Sequence, residues 1–130
     1  MIVDTSFVID VMRNDTSAIE ILNELIRRNE PQLLTSPTIF ELFHGVARSS
    51  RPENERNKIL GIIEKQIILN LDAKAAARAG ELDGRLVKLG ERISPIDSMI
   101  AAIALENDEA VLTKNKKDFS KIKGLRIVTY

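Results

Sequence analysis

The 130-residue sequence contains no cysteine. Disulfides, thiolate metal sites and cysteine nucleophiles are therefore excluded, and the composition fits a reducing compartment. Tryptophan is also absent, and His44 is the sole histidine. A lone histidine without cysteine removes the donors that zinc and the softer transition metals prefer. No apolar run approaches the roughly 20 residues that cross a bilayer. The first apolar run begins directly after Met1 and leaves no room for a signal peptide. A soluble, cytoplasmic protein without membrane contact is the expectation. No phosphate-cradling glycine-rich loop, zincin motif or nucleophile elbow is present. Charge of one sign is lacking too: 19 basic and 19 acidic residues cancel, which argues against a bulk polyelectrolyte grip on nucleic acid. Aromatic residues are few (Phe7, Phe40, Phe43, Phe119, Tyr130) and mostly set among apolar neighbours, so a base-stacking platform is not expected.

What is present is enough for a packed core. Hydrophobic residues make up 44% of the chain, too many for a disordered one, and the length suits one domain spanning residues 1–130. The organising stretch is the first, Met1-Ile-Val-Asp4-Thr-Ser-Phe-Val-Ile-Asp10. It predicts a short buried strand ending at Asp4 and a helix over 5–12. An aspartate there lies where open α/β sheets keep their ligand sites; it is equally a residue that caps the next helix.

Further on, Ser17 and Glu20 have capping-box spacing. Ala18, Ile21, Leu22, Leu25 and Ile26 follow at helical period, and Pro31 is expected to stop that helix. Leu33–Thr35 predicts a second strand, and Ser36-Pro37 opens a helix as N-cap and first-turn proline, running to about Ser49. Pro52 starts another through Ile63. Its Ile59, Leu60, Ile62 and Ile63 cover an arc of roughly 160°, wider than the usual stripe; either a deep setting in the core or a dimer or partner contact explains it. Ile67–Leu69 is a third strand, Asp72 begins an alanine-rich helix that Gly90 ends, and Ser94-Pro95 opens an almost wholly apolar helix through Leu105. Strands at Ala110–Thr113 and Arg126–Thr129 flank a helical turn at Phe119. Strands alternating with helices imply a parallel sheet with right-handed crossovers, covered on both faces.

Five polar positions stand at element ends or on unexpected helix faces. Asp4 ends the first strand. Glu41 points away from the apolar face of its helix, toward solvent or into a cleft. Asp97 lies in the first turn of the apolar helix, where the macrodipole alone would favour it. Asn115 and Asp118 follow the strand ending at Thr113. In a parallel sheet these edges lie side by side. Carboxylates gathered there repel, and a hard divalent cation with oxygen ligands, magnesium or manganese, relieves that repulsion. Such a site suits phosphodiester hydrolysis, because the ion activates a bound water and offsets charge on the phosphate. Glu41 and His44 have the spacing of one half of a di-iron site, but no second histidine completes it. Lys114, Lys116, Lys117, Lys121, Lys123 and Arg126 form either a local basic patch or a solvated edge.

In order, Val3-Asp4-Thr5-Ser6, Glu41-Leu42 with Gly45 and Arg48-Ser49, Ala79-Gly80-Glu81, Asp97-Ser98-Met99-Ile100-Ala101-Ala102, and Leu112-Thr113-Lys114-Asn115 through Asp118-Phe119 resemble the PIN-domain ribonucleases, and among them the VapC-type toxins of toxin–antitoxin pairs. The resemblance implies a three-layer α/β/α sandwich on a parallel sheet of about five strands. It implies a metal site of Asp4, Glu41 and Asp97, and a fourth polar position at Asn115 with Thr113 close by. Some members carry aspartate at that fourth place; asparagine adds no negative charge, so a second metal would bind weakly or only with substrate, and Asp118 is a partial replacement. The implied reaction is Mg2+- or Mn2+-dependent cleavage of RNA leaving a 5′-phosphate and a 3′-hydroxyl. Asn115 would orient a water or phosphate and Thr113 support it, while Lys114, Lys116 and Lys117 steer the RNA backbone. The implied partners are a VapB-like antitoxin, whose tail would enter the acidic cleft, and a second copy of the chain. Two alternatives stand beside this reading. One is a phosphoacceptor or phosphatase domain with Asp4 as nucleophile, which would usually place a second acid after the first strand where Thr5 and Ser6 stand. The other is a non-catalytic docking module whose acid pocket binds a basic partner segment.

Overall fold

A computed structural model describes residues 1–130. Five short strands form one sheet: β1 (Ile2–Val3), β2 (Leu33–Thr35), β3 (Ile67–Leu69), β4 (Val111–Leu112) and β5 (Ile127–Val128). Every pairing is parallel, and the spatial order is β3-β2-β1-β4-β5. Seven helices connect and cover them: α1 (Thr5–Met12), α2 (Thr16–Arg27), α3 (Ser36–Ala47), α4 (Pro52–Ile63), α5 (Ala73–Lys88), α6 (Pro95–Glu106) and the single turn α7 (Lys116–Phe119).

The pleat sorts the core into two halves. Ile2, Leu33 and Val111 turn to one face and pack with Ala75 and Leu86 of α5, Ile100, Ala101, Ile103 and Ala104 of α6, and Phe119. Val3, Leu34 and Leu112, each one residue further along, turn to the other. There they meet Phe7 and Val8 of α1, Ala18 and Leu25 of α2, Leu42 and Val46 of α3, and Ile59 of α4. This alternation is the strand period of two, and it makes the three-layer sandwich that the sequence predicts. Strands of two or three residues suffice because both faces are covered: Ile2, Val111 and Leu112 are wholly buried, and each such side chain contributes about 1.5–3 kcal/mol.

Four helices end the same way. Asn14 (φ 58°), Asn29 (φ 54°), Gly90 (φ 70°) and Asp108 (φ 51°) take left-handed backbone after α1, α2, α5 and α6. After α2, the amides of Asn29 and Glu30 reach back to the carbonyls of Ile26 and Leu25 at 3.0 and 2.9 Å, the Schellman arrangement. Only Gly90 announced itself in the sequence. Asn29, not Pro31, ends α2.

Two expected N-caps also move by one or two residues. Asp15, not Ser17, caps α2, its carboxylate accepting from the Ala18 amide at 3.0 Å. Thr35, not Ser36, caps α3, accepting from the Thr38 amide at 3.3 Å. The Ser36 hydroxyl instead accepts from the Leu71 amide at 2.9 Å, tying α3 to the link between β3 and α5. Of the broad apolar arc on α4, Ile59 enters the core, Ile62 and Ile63 pack at its margin, and Leu60 remains 38% exposed. No helix is long and apolar enough to cross a membrane.

Candidate active site

The strand order reverses direction at β1, which lies between β2 and β4. A crevice opens at the carboxyl end of strands on either side of such a point, and the acids gather here. Asp4 follows β1 directly. It is 4% exposed and both oxygens are engaged. Oδ1 accepts from the Ser6 hydroxyl at 2.7 Å and from the Phe7 amide at 3.0 Å, which caps α1. Oδ2 accepts from the buried Thr113 hydroxyl at 2.5 Å. The helix-cap reading of Asp4 therefore holds, and the cap lies at the crevice edge. Burial raises its pKa above the ordinary carboxylate value, against the lowering effect of these donors.

Asp97 stands in the first turn of α6. Its neighbour Ser98, 1% exposed, donates to Asp83 Oδ1 of α5 at 2.7 Å and fixes that turn. Burial, and then the charges of Glu41, Asp4 and Asp118, push the Asp97 carboxyl up to about 6. Glu41 thus faces the cluster rather than bulk solvent. Its Oε1 accepts from the Thr5 hydroxyl at 2.5 Å, and Thr38 Oγ1 lies within 3.4 Å of Thr5 Oγ1 and 3.1 Å of Thr35 Oγ1.

Asn115 acts as a clamp between acids. Its Nδ2 donates to Asp97 Oδ2 at 3.3 Å and to Asp118 Oδ2 at 3.0 Å, while its Oδ1 accepts from the Asp118 amide and caps α7. Its own amide donates to Thr113 Oγ1 at 2.9 Å. The Asn115 donors hold Asp118 below its ordinary pKa, with Lys121 assisting at 3.5 Å. Sequence reasoning passed over Thr5, Ser6 and Thr38 as supports. The signal available was two hydroxyl residues directly after Asp4, which here supply one donor each to Glu41 and Asp4.

The expected lysine trio divides. Lys116 and Lys117 are exposed, but Lys114 is committed to an ion pair with Asp10 at 2.7 Å, with its ammonium 5.2 Å from the Tyr130 ring centroid. Phe40, grouped above with aromatics in apolar surroundings, is 62% exposed and stacked on His44 at 6.1 Å. The burial of Asp4 also speaks against the phosphoacceptor alternative, because an attacking carboxylate must admit a whole phosphoryl group in line.

An open parallel α/β sheet with an acidic crevice at its switch point defines a ligand-binding or hydrolytic α/β protein of the doubly wound kind. The comparison with known sequences narrows this: the PIN domain matches residues 1–125, and the chain belongs to that family. It is 29% identical over 124 residues to the tRNA(fMet)-specific endonuclease VapC of Shigella flexneri, covering 95% of this chain and 92% of that one. It is 33% identical over 94 residues to the Salmonella typhimurium protein of the same name, covering 72% of this chain and 71% of the relative. Among solved structures it superposes on VapBC2 from Rickettsia felis bound to a promoter DNA fragment with a TM-score of 0.88 at 25% identity, covering 99% and 97% of the two chains. DNA-bound VapBC from Salmonella typhimurium gives 0.86 at 26% identity, covering 98% and 96%.

Proposed function

We propose that the protein is a metal-dependent endoribonuclease, the toxin partner of a VapBC-type pair, that hydrolyses RNA phosphodiester bonds at the Asp4–Glu41–Asp97 crevice. The observation that carries this reading is the chain of contacts from Asp4 through Thr113 and Asn115 to Asp97 at one crevice, where burial and the charges of Glu41 and Asp4 raise Asp97 to about 6, in a chain whose relatives are named as ribonucleases. An elevated carboxyl held among like charges is a place where a cation is wanted.

The donor set fits an oxygen-ligated ion. Glu41 Oε2 and Asp97 Oδ1 accept no hydrogen bond from the protein, and no histidine or cysteine joins them. No three acids stand close enough to close a shell on one ion by themselves. Mg2+ or Mn2+ would therefore be held by Asp97 and Glu41, with Asp4 reached through water, and magnesium characteristically keeps several waters. Bound there, the ion supplies an activated water and offsets phosphate charge. The chain's own residues do the rest. Thr113 and Ser6 fix the Asp4 carboxylate, Thr5 fixes Glu41, and Asn115 bridges Asp97 and Asp118. Lys116 and Lys117, exposed beside the crevice, draw the RNA backbone toward it.

The structural relatives are two-component VapBC assemblies, which supports a VapB-like antitoxin as partner; a second copy of this chain is the other partner proposed. The test is calorimetric titration of Mg2+ and Mn2+, with cleavage of labelled RNA, on the parent and on Asp97→Asn. The expected outcome is metal binding and cleavage that both vanish in the variant. A parent that binds no metal even with RNA present sinks the reading and leaves the docking module in its place.

A further inference from the structure

Lys114 sits between the two residues that organise the acids. Thr113 before it donates to Asp4 Oδ2, and Asn115 after it donates to Asp97 and to Thr113 Oγ1. The Lys114 side chain leaves this cluster and crosses to α1, where its ammonium meets Asp10 Oδ2 at 2.7 Å and lies 3.9 Å from Asp15. Asp10 is on the helix that Asp4 caps. One ion pair thus joins the loop that carries the donor, Thr113, to the helix that carries the acceptor, Asp4.

A third group completes the arrangement. Tyr130 Oη donates to the same Asp10 oxygen at 2.7 Å. Its ring lies beneath the Lys114 ammonium and meets Phe7 edge-on, with centroids 5.2 Å apart and planes at 82°. Phe7 is the residue whose amide donates to Asp4 Oδ1. Asp10 is largely shielded, its side chain 18% exposed against 45% for Lys114.

We propose that Lys114, held by Asp10 and Tyr130, is a positioning residue that fixes the β4–α7 loop against α1 and so sets the Thr113–Asp4 and Asn115–Asp97 contacts of the nuclease site. This rests on the nuclease reading above for its consequence in catalysis. It replaces the sequence expectation that Lys114 steers RNA.

The experiment compares Lys114→Met, Lys114→Arg and Tyr130→Phe with the parent. Three measurements are made: steady-state cleavage, the salt dependence of RNA affinity, and amide hydrogen exchange in EDTA. Lys114→Met keeps the stem and removes the charge. It is expected to lower kcat about 10- to 100-fold, the scale of a small misplacement at a reacting centre. KM and the salt slope stay at parental values. Exchange protection falls at the Phe7 and Asn115 amides and holds in the sheet. Lys114→Arg restores most of kcat, and Tyr130→Phe, which keeps the ring, shifts the same amides less. A salt slope shallower by about 0.7, with raised KM and parental kcat, overturns the inference and makes Lys114 an RNA contact. Uniform loss of protection across the sheet also overturns it, because the role is then general stability. If the parent cleaves no RNA, the nuclease reading fails, while the exchange measurement still decides whether Lys114 fixes the loop.

Discussion

Thr113 Oγ1 donates to Asp4 Oδ2 at 2.5 Å, joining residues 109 positions apart in the chain. The same oxygen accepts from the Asn115 amide, so one hydroxyl serves the first acid of the crevice and the loop that clamps Asp97 and Asp118. Both residues lie at the ends of neighbouring parallel strands, Val3 pairing with Leu112. Their meeting follows from the register of the sheet.

Replacing Thr113 by valine keeps the shape and removes that hydroxyl. Asp4 Oδ2 is then buried without its donor and the Asn115 amide without its acceptor. A buried group left unsatisfied costs about 1–3 kcal/mol, so Thr113→Val is expected to lose about 2–3 kcal/mol in urea unfolding at pH 7. Thr113→Ser, which keeps the donor, should lose less than half of that. A loss in Thr113→Ser larger than that in Thr113→Val would mean that the methyl group, and not the bond, matters at this position.

Asp97 predicts a pH dependence whose sign is fixed. Its folded-state pKa is raised from 3.8 to about 6. A carboxyl that holds its proton more tightly when folded opposes folding once ionised. In EDTA this penalty is absent below about pH 4, grows between about pH 4 and about pH 6, and is complete above. One pH unit of difference is worth about 1.4 kcal/mol. With partial solvent screening, Asp97→Asn should stabilise the metal-free protein by on the order of 1–2 kcal/mol at pH 7. It should also flatten stability against pH across that window while abolishing cleavage. Unfolding curves at four or five pH values decide it. A variant no more stable than the parent at pH 7 would mean that the cluster is not under electrostatic strain.

Much of this fold was legible in the sequence, and the reasons are physical. The inner strands were visible because two-sided burial makes each a short apolar run, as at Leu33–Thr35, and the edge strand Ile67–Leu69 is equally apolar although Ile67 stays 61% exposed. The helix bounds at Thr5–Met12 and Pro52–Ile63 were legible from the break after Asp4 and from Pro52. Asp4, Glu41 and Asp97 were readable as candidates because each is an acid at a strand or helix end, or on a helix face opposite the apolar one. Three things were not legible. The direction of Lys114 was hidden because a lysine after a strand can turn to either face, and Asp10 and Tyr130 are distant in sequence. The hydroxyl supports at Thr5, Ser6 and Thr38 were hidden because serine and threonine after a strand read first as turn residues. Helix caps were misplaced because Asp15, Thr16 and Ser17 are all competent, and only the backbone angles select one.

The caps give a direct comparison between sequence pattern and structure. Asp15 accepts from the Ala18 amide at 3.0 Å and is also within 3.9 Å of Lys114. Ser17, which has the capping-box spacing to Glu20, is exposed within the first turn. Loss of an N-cap costs about 1 kcal/mol. Asp15→Ala is expected to lower stability by about that amount, whereas Ser17→Ala should change it by less than about 0.5 kcal/mol. Thermal melts of the two variants, side by side, separate the assignments; the reverse order would return the cap to Ser17.

Asn115 bridges two acids of the crevice, and it offers the most discriminating substitution. Its Nδ2 donates to Asp97 at 3.3 Å and to Asp118 at 3.0 Å. In Asn115→Asp both donors become an acceptor bearing negative charge, so two attractions turn into two repulsions among partly shielded groups. In EDTA the variant is expected to be less stable than the parent by on the order of 1–3 kcal/mol, with Asp97 driven to a still higher pKa. Mn2+ should then reverse the loss. An ion that binds only the folded state stabilises by RT ln(1 + [L]/Kd), and an added carboxylate lowers Kd. The upward shift of Tm between EDTA and Mn2+ is therefore expected to be larger in Asn115→Asp than in the parent, and to vanish in Asp97→Asn. Melts of all three proteins with and without Mn2+ make the test. If Asn115→Asp melts with the parent in EDTA and gains nothing from Mn2+, the crevice does not concentrate negative charge, and the metal-dependent mechanism loses its electrostatic basis.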